Sequence, residues 1–395
     1  QNPYSTGVPI SSRLMFFGRE QEIQAIKHEL DKEDPARLIV MHGHRRTGKT
    51  SLAHMQATIW RGYPLLPVYV DLQNLSEPSP TAVYRAMALR VQETASTQLT
   101  AVDTPSAPSR AAFEEAPDPY ELLQTYLHHI TAVVKPRRLL LMLDEFNILL
   151  EKRPYSPIFK QLRGLTNDPY LTAVTLMPIM HTAQYNDRQR FDATSPARIL
   201  WEQGVELHIA RLDTHSARRL VTEPMQGHLN FAESVVNEII RGTNGNPYLI
   251  HIICRHLVEH LDRTRRTFVR PIDLQHVLTN HIYPAAHTYF NFLVHHIAEF
   301  PSSLEVTLAI AEAQHGREDW LSVEEIWQHC RRIMPARRFF EESLFHLQLY
   351  GVVNLRGHTA DGLPQQLHIP VGFFRTWVAN QPDALRALVE RRNNP

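Results

Sequence analysis

Apolar positions fall into two regimes along the chain. In the first half, short unbroken apolar runs alternate with stretches in which apolar residues recur every three or four positions. The runs "LIVM" (38–41) and "PVYVDL" (67–72) are too short for helices and are rich in β-branched residues or bounded by turn formers, so they predict buried parallel strands. "RRLLLMLDEF", "LTAVTLMPIM" and "VELHIARL" continue the series. Between them, "GREQEIQAIKHEL" sets Ile23, Ile26 and Leu30 at helical spacing, and "KTSLAHMQATIW" and the stretches around 120–135 and 155–166 read as helices. Strands alternating with helices predict an α/β fold with a doubly wound parallel sheet.

Residues 97–119 carry Pro105, Pro108, Pro117 and Pro119 without periodicity, which predicts a flexible surface insertion. From about residue 214 the pattern turns wholly helical, and in "NPYLIHIICRHLVEHL" Leu249, Ile253, Leu257 and Leu261 mark one buried face. Near the end, "LQLYGVVNLRG" and "QQLHIPVGFF" are strand-like runs joined by the turn-rich "HTADGLP". Helices followed by a β-hairpin are similar to a winged helix. The expected division is a sheet domain over 1–213, a helical lid over 214–283 and a winged-helix domain over 284–395.

Composition narrows the function classes. At 395 residues the chain exceeds what one hydrophobic core serves, and 41 basic against 41 acidic residues leave no global field for nucleic acid or anionic lipid. Cys254 and Cys330 match no disulfide or metal spacing, which is the pattern of inert core thiols in a reducing compartment. No run approaches 18 apolar residues. The expectation is a cytoplasmic protein with no membrane partner.

The chemistry concentrates in "HGHRRTGKTSL" (42–52). Gly43, His44, Arg45, Arg46, Thr47, Gly48, Lys49 and Thr50 satisfy G-x-x-x-x-G-K-[ST] directly after a strand and before a helix, the context a phosphate cradle requires. Backbone N–H groups and the helix N-terminus, with Ser51 in its first turn, would surround the phosphates; Lys49 would reach the β and γ groups and Thr50 would ligate Mg²⁺. An acid at the end of a neighbouring strand must hold the metal from the other side, and "LLLMLDEF" delivers Asp144 there, with Glu145 beside it as general base. The alternative is that these acids cap the next helix. His181 and Thr182 end the strand "LTAVTLMPIM", where a third catalytic element would sit, with His181 the candidate. Asp71 is a further strand-edge acid, better suited to fixing its loop.

The set "FFGRE" (16–20), "GHRRTGKTSL" (43–52), "LLLMLDEF" (139–146) and "GTNGNPYLI" (242–250), followed by the winged-helix-like end, resembles the STAND class of signal-transducing P-loop ATPases, relatives of the AAA+ and origin-recognition ATPases. The resemblance covers nearly the whole chain. It implies that Phe17, Gly18 and Arg19 pack near the adenine and that Gly245, Asn246 and Pro247 of the lid contact bound nucleotide. It also implies ATP and ADP with Mg²⁺ as cofactors and slow hydrolysis. The implied switch is closed with ADP, opens with ATP into a homo-oligomer, and works with sensor and effector domains not visible in this sequence. Arg188, Arg190 and Arg198 lie where related ATPases carry an arginine finger.

Two rivals exist. "HLVEH" fits the inverted zinc-protease signature through His256, Glu259 and His260, although it lies in an amphipathic helix without a third ligand. A DNA-acting ATPase would bind duplex through its winged helix, but residues 284–395 hold ten basic and twelve acidic side chains, a net of −2. That leaves "RRIMPARR" (331–338) as the local basic cluster and makes duplex DNA the less favoured partner.

Overall fold

A computed structural model describes residues 2–77, 79–99, 104–150, 156–186, 195–284, 288–300, 302–317, 319–334, 336–359 and 362–393. The chain forms two compact units, Pro9–Ala210 and Arg211–Pro395, the second including Gln1–Val8.

The first unit is built on five parallel strands: β1 (Ile39–Gly43), β2 (Leu65–Asp71), β3 (Arg138–Asp144), β4 (Val174–His181) and β5 (Val205–His208). Its helices are α1 (Glu20–Asp31), α2 (Lys49–Ile59), α3 (Pro80–Gln98), α4 (Arg110–Glu115), α5 (Pro119–Val133), α6 (Ser156–Asn167), α7 (Thr182–Asn186) and α8 (Pro196–Glu202). The order across the sheet is β2-β3-β4-β1-β5. Both faces are covered, which is why the strands read as unbroken apolar runs. Along β3, Leu139, Leu141 and Leu143 enter the core shared with Val83, Leu123 and Leu162, while Leu140 and Met142 enter the core shared with Ile26, Leu30 and Leu52.

Of the stretch expected to be a flexible surface insertion, residues 97–99 and 104–119 are described. They hold the last two residues of α3 and the whole of α4, whose Phe113 is fully buried in the larger core. Ser109 caps α4 by accepting from the Ala112 N–H at 3.1 Å, and the Ala107 N–H donates to Gln92 Oε1 at 2.9 Å. One aromatic anchor and a good N-cap fix α4, and neither leaves a periodic trace.

The second unit opens with α9 (Thr214–Thr222), α10 (Glu233–Thr243), α11 (Pro247–Thr264) and α12 (Pro271–Val277), with β6 (Asn230–Phe231) and β7 (Phe268–Val269) as a short parallel pair. α13 (Thr288–Glu299) then leads into α14 (Ser303–Ala313), β8 (Leu321–Ser322), α15 (Val323–Cys330), α16 (Arg337–Leu349), β9 (Asn354–His358) and β10 (Pro364–His368). The strands form an antiparallel sheet β8-β10-β9, and helix, strand, two helices and hairpin follow in winged-helix order. α17 (Gly372–Asn380) and α18 (Pro382–Asn393) complete the unit. The start of the chain belongs here because Tyr4 is buried and its hydroxyl donates to Val221 O at 2.7 Å.

Leu249, Ile253, Leu257 and Leu261 of α11 are buried as their spacing predicts. Among the described residues His256 and His260 do not belong to a group of three close metal-ligating side chains. Each ring stacks on another imidazole instead, His256 on His281 at 4.6 Å and His260 on His276 at 4.4 Å. Among the described residues no helix is long and apolar enough to cross a membrane.

Gly245 lies where the chain bends from α10 into α11. Its φ is +65°, the Leu212 N–H donates to its carbonyl at 2.9 Å, and an added Cβ would lie 2.1 Å from Leu212 O. Gly245→Ala should therefore cost about 3 kcal/mol through αL strain plus displaced backbone. Gly227→Ala, at φ +82° with open space around it, should cost only about 1 kcal/mol. Urea unfolding of both variants checks this, and equal midpoints would show that the close approach is relieved cheaply.

Candidate nucleotide site

The carboxyl ends of β1, β3 and β4 converge at one edge of the sheet. Gly43 is in register with His181, Leu143 with Pro178, and Asp71 with Asp144. The expectation that Asp144 ends a strand next to β1 is corrected here: β4 lies between β1 and β3. The inserted strand brings His181 between the glycine loop and the acid pair.

The loop is shaped by three positions. An added Cβ at Gly43 would lie 2.5 Å from Ile209 O, Arg46 has φ +64°, and Gly48 caps α2 in the left-handed region at φ +98°. Thr47 is buried, and its hydroxyl donates to His44 O at 2.9 Å. Lys49 is also buried, with Nζ donating to Gly43 O and His44 O, both at 3.0 Å. The ammonium thus rests on loop carbonyls at the mouth of the cradle. Burial draws its pKa down to about 8, against the opposing pull of Asp144 and Glu145.

Thr50 follows in the first turn of α2, and its hydroxyl lies near enough to the Asp144 carboxylate to help lower that acid's pKa. Asp144 is 3% exposed and accepts from Tyr69 Oη at 2.9 Å and from the Glu145 N–H at 2.9 Å. Burial raises its pKa and these hydrogen bonds lower it, burial being the larger effect. A hydroxyl beside a carboxylate is the hard-oxygen donor set that suits Mg²⁺, which keeps most of its remaining positions for water and phosphate.

Glu145 takes φ +54°, a left-handed conformation unusual for a glutamate. Its carboxylate oxygen lies 3.7 Å from His181 Nε2, and this partner holds its pKa below the usual value. His181 is itself held low, chiefly by burial. The capping alternative fails for both acids: Glu145 makes no side-chain cap to the turn Phe146–Leu149, and Asp144 faces Thr50 and Tyr69. Asp71 accepts from the Gln73 N–H at 2.9 Å and from Asn74 Nδ2 at 2.7 Å, the loop-fixing role expected of it.

Arg19 is engaged differently from the adenine contact that the resemblance implies. Its guanidinium is 4% exposed, donates to Thr47 O at 2.6 Å and Ala210 O at 3.0 Å, and pairs with Glu22 at 2.7 Å. It clamps the back of the glycine loop. Phe17 is buried, and Gly18 turns the chain at φ +66°. His44, Arg45 and Arg46 lie on the outer loop, and Ser51 Oγ accepts from the Ile10 N–H at 3.0 Å. Thr182 Oγ1 lies 3.2 Å from Nδ1 of buried His42.

Asn246 and Pro247 belong to the second unit. Asn246 is fully buried and caps α11, accepting from the Leu249 N–H at 3.1 Å, and Pro247 opens that helix. Arg198 on α8 pairs with Glu202 at 2.8 Å, while Arg188 and Arg190 lie outside the described residues. Two site residues leave no sequence signal. Tyr69 reaches Asp144 only through the β2–β3 register, and His42, 2.8 Å from Glu206, joins β1 to β5 beneath the loop.

No family model matches the sequence, and comparison with curated proteins finds no match. Solved structures do share its fold. A Walker-type ATPase of Pyrococcus abyssi is 15% identical, with 94% of this chain and 98% of that chain covered at a TM-score of 0.67. The ORC2 protein of Aeropyrum pernix, solved as ADPNP–ADP complexes, is 13% identical, with 98% and 100% covered at a TM-score of 0.63. At these identities the likeness establishes architecture: over nearly its whole length the chain has the fold of Walker-type P-loop ATPases.

Proposed function

We propose that this protein binds ATP with Mg²⁺, hydrolyses it slowly, and acts as a STAND-type switch whose ATP form self-associates. One observation carries the reading: Lys49 and Thr50 at the start of α2 and Asp144 and Glu145 at the end of β3 converge from two separate segments at one sheet edge. Lys49 supplies the cation for the β and γ phosphates, and Thr50 and Asp144 would hold the metal, which neutralises developing charge on the transferred phosphoryl group. Glu145 is the base for the attacking water, and its contact with His181 draws it aside, which fits slow turnover. The switch assignment rests on the order of the four motifs rather than on the site geometry.

Duplex binding is the weaker reading because residues 284–395 carry a net charge of −2 and one of the four arginines in the basic cluster is already engaged by carboxylates. Arg337 pairs with Glu324 at 2.6 Å and Glu341 at 2.9 Å. The test is to extract and chromatograph the nucleotide that co-purifies, then follow mass by light scattering after exchange into ATP. Bound ADP and a larger ATP form are expected. A monomer in both states that binds duplex tightly at physiological salt would replace the switch with a DNA-acting ATPase.

A further inference from the structure

The second unit contains a cationic cavity that the nucleotide site does not use. It has a volume of about 310 Å³ and is walled by Arg241 at the end of α10, the turn after α14 (His315, Gly316 and Arg317), and Arg375 and Thr376 on α17. Among the described residues lining it, three are arginines and none is a carboxylate. Arg375 is 8% exposed, and its guanidinium meets His368 Nε2 at 3.1 Å. Burial first, and then Arg375, Arg211 and Arg356, hold that imidazole's pKa down to about 4, so it is neutral and adds no positive charge of its own.

The walls are fixed in place. Gly242 lets the Phe373 ring pack where a Cβ would come within 2.3 Å of it, and a Cβ on Gly372 would lie 3.2 Å from Gly242 Cα. This close seam sets Arg241 beside Arg375. The turn is pinned by fully buried Gln314, whose amide donates to Asp319 O at 2.8 Å and accepts from the Ile369 N–H at 3.0 Å. Gly316 then reverses the chain at φ +71°, and the Arg317 N–H closes back on Gln314 O at 2.9 Å. Arg375 is held in place before a ligand arrives, the backbone carrying Arg241 and Arg317 is fixed, and guanidinium forks match the geometry of phosphate oxygens.

We propose that this cavity is a second anion site, taking the phosphate or diphosphate group of a small ligand. Its walls come from both the helical part and the winged helix, so occupancy would tie the two together. Inorganic pyrophosphate is the probe, and the full chain carrying Lys49→Ala keeps the glycine loop from contributing. Calorimetry should show one saturable site. Arg241→Ala with Arg317→Ala, both exposed positions, should weaken it at least ~tenfold, as expected for two lost charged hydrogen bonds. Should that pair disturb folding, Thr376→Glu places a carboxylate on an exposed wall residue and should abolish binding by repulsion. No pyrophosphate binding, or equal affinity in either altered chain, would overturn the site. Displacement of pyrophosphate by a short oligonucleotide at comparable concentration would assign the cavity to backbone phosphates instead and overturn the small-ligand proposal.

Discussion

Lys49→Ala should lose tight triphosphate binding, by ~100-fold or more if two charge-assisted contacts of about 1.5–3 kcal/mol each disappear. The ammonium donates to Gly43 O and His44 O, both at 3.0 Å, so engaging a phosphate would exchange two neutral carbonyls for charged oxygens. The exchange leaves a pH signature. Burial draws the Lys49 pKa down to about 8, whereas a bound polyanion favours the charged form and lifts it. Below about 8 the lysine is charged in both states and affinity is flat. Above about 8 each binding event must take up a proton, so affinity should fall by up to tenfold per pH unit until the bound-state pKa is reached. Calorimetry at pH 9 in two buffers of different ionisation enthalpy reads that proton uptake directly. Lys49→Ala should show neither the uptake nor the slope; equal ATP affinity in the two chains would remove the lysine from the site.

The parts of this site that sequence reveals are those in which a residue type and a local period suffice. The glycine loop is legible because its spacing, the preceding strand and the following helix are all local. Asp144 is legible because five apolar residues can only carry it to the end of a buried strand. What fails is everything set by pairing between distant strands. Period-two alternation does not say which strand lies beside which, so β4 between β1 and β3, and with it the contact of His181 with Glu145, comes only from the assembled sheet. Tyr69 is hidden for the same reason. Arg19 is a subtler case: a charged residue in a recognised motif invites a ligand role, yet burial against two carbonyls makes it a clamp. Phe113 shows the limit of periodicity itself, since one buried aromatic in a proline-rich stretch has no period to detect.

Glu145→Gln should bind ATP as the parent does and hydrolyse it ~10²- to 10⁴-fold more slowly, the range a positioned general base contributes. The amide keeps the size and the left-handed backbone at φ +54°, but it cannot take a proton from water. The structure adds a second consequence. The contact with His181, 3.7 Å away, is the chief cause holding the glutamate pKa low, so the carboxylate is ionised at neutral pH but drawn toward its partner. Removing that contact while keeping the base separates the two effects. His181→Ala should therefore move turnover in one of two directions: upward if His181 only restrains Glu145, downward if it also contacts the γ phosphate. In the Glu145→Gln background the restraint has nothing to act on, so a further loss on removing His181 isolates its phosphate role. Single-turnover hydrolysis with the enzyme in excess over labelled ATP resolves these steps from release. Parental turnover in Glu145→Gln would place the base elsewhere on this edge.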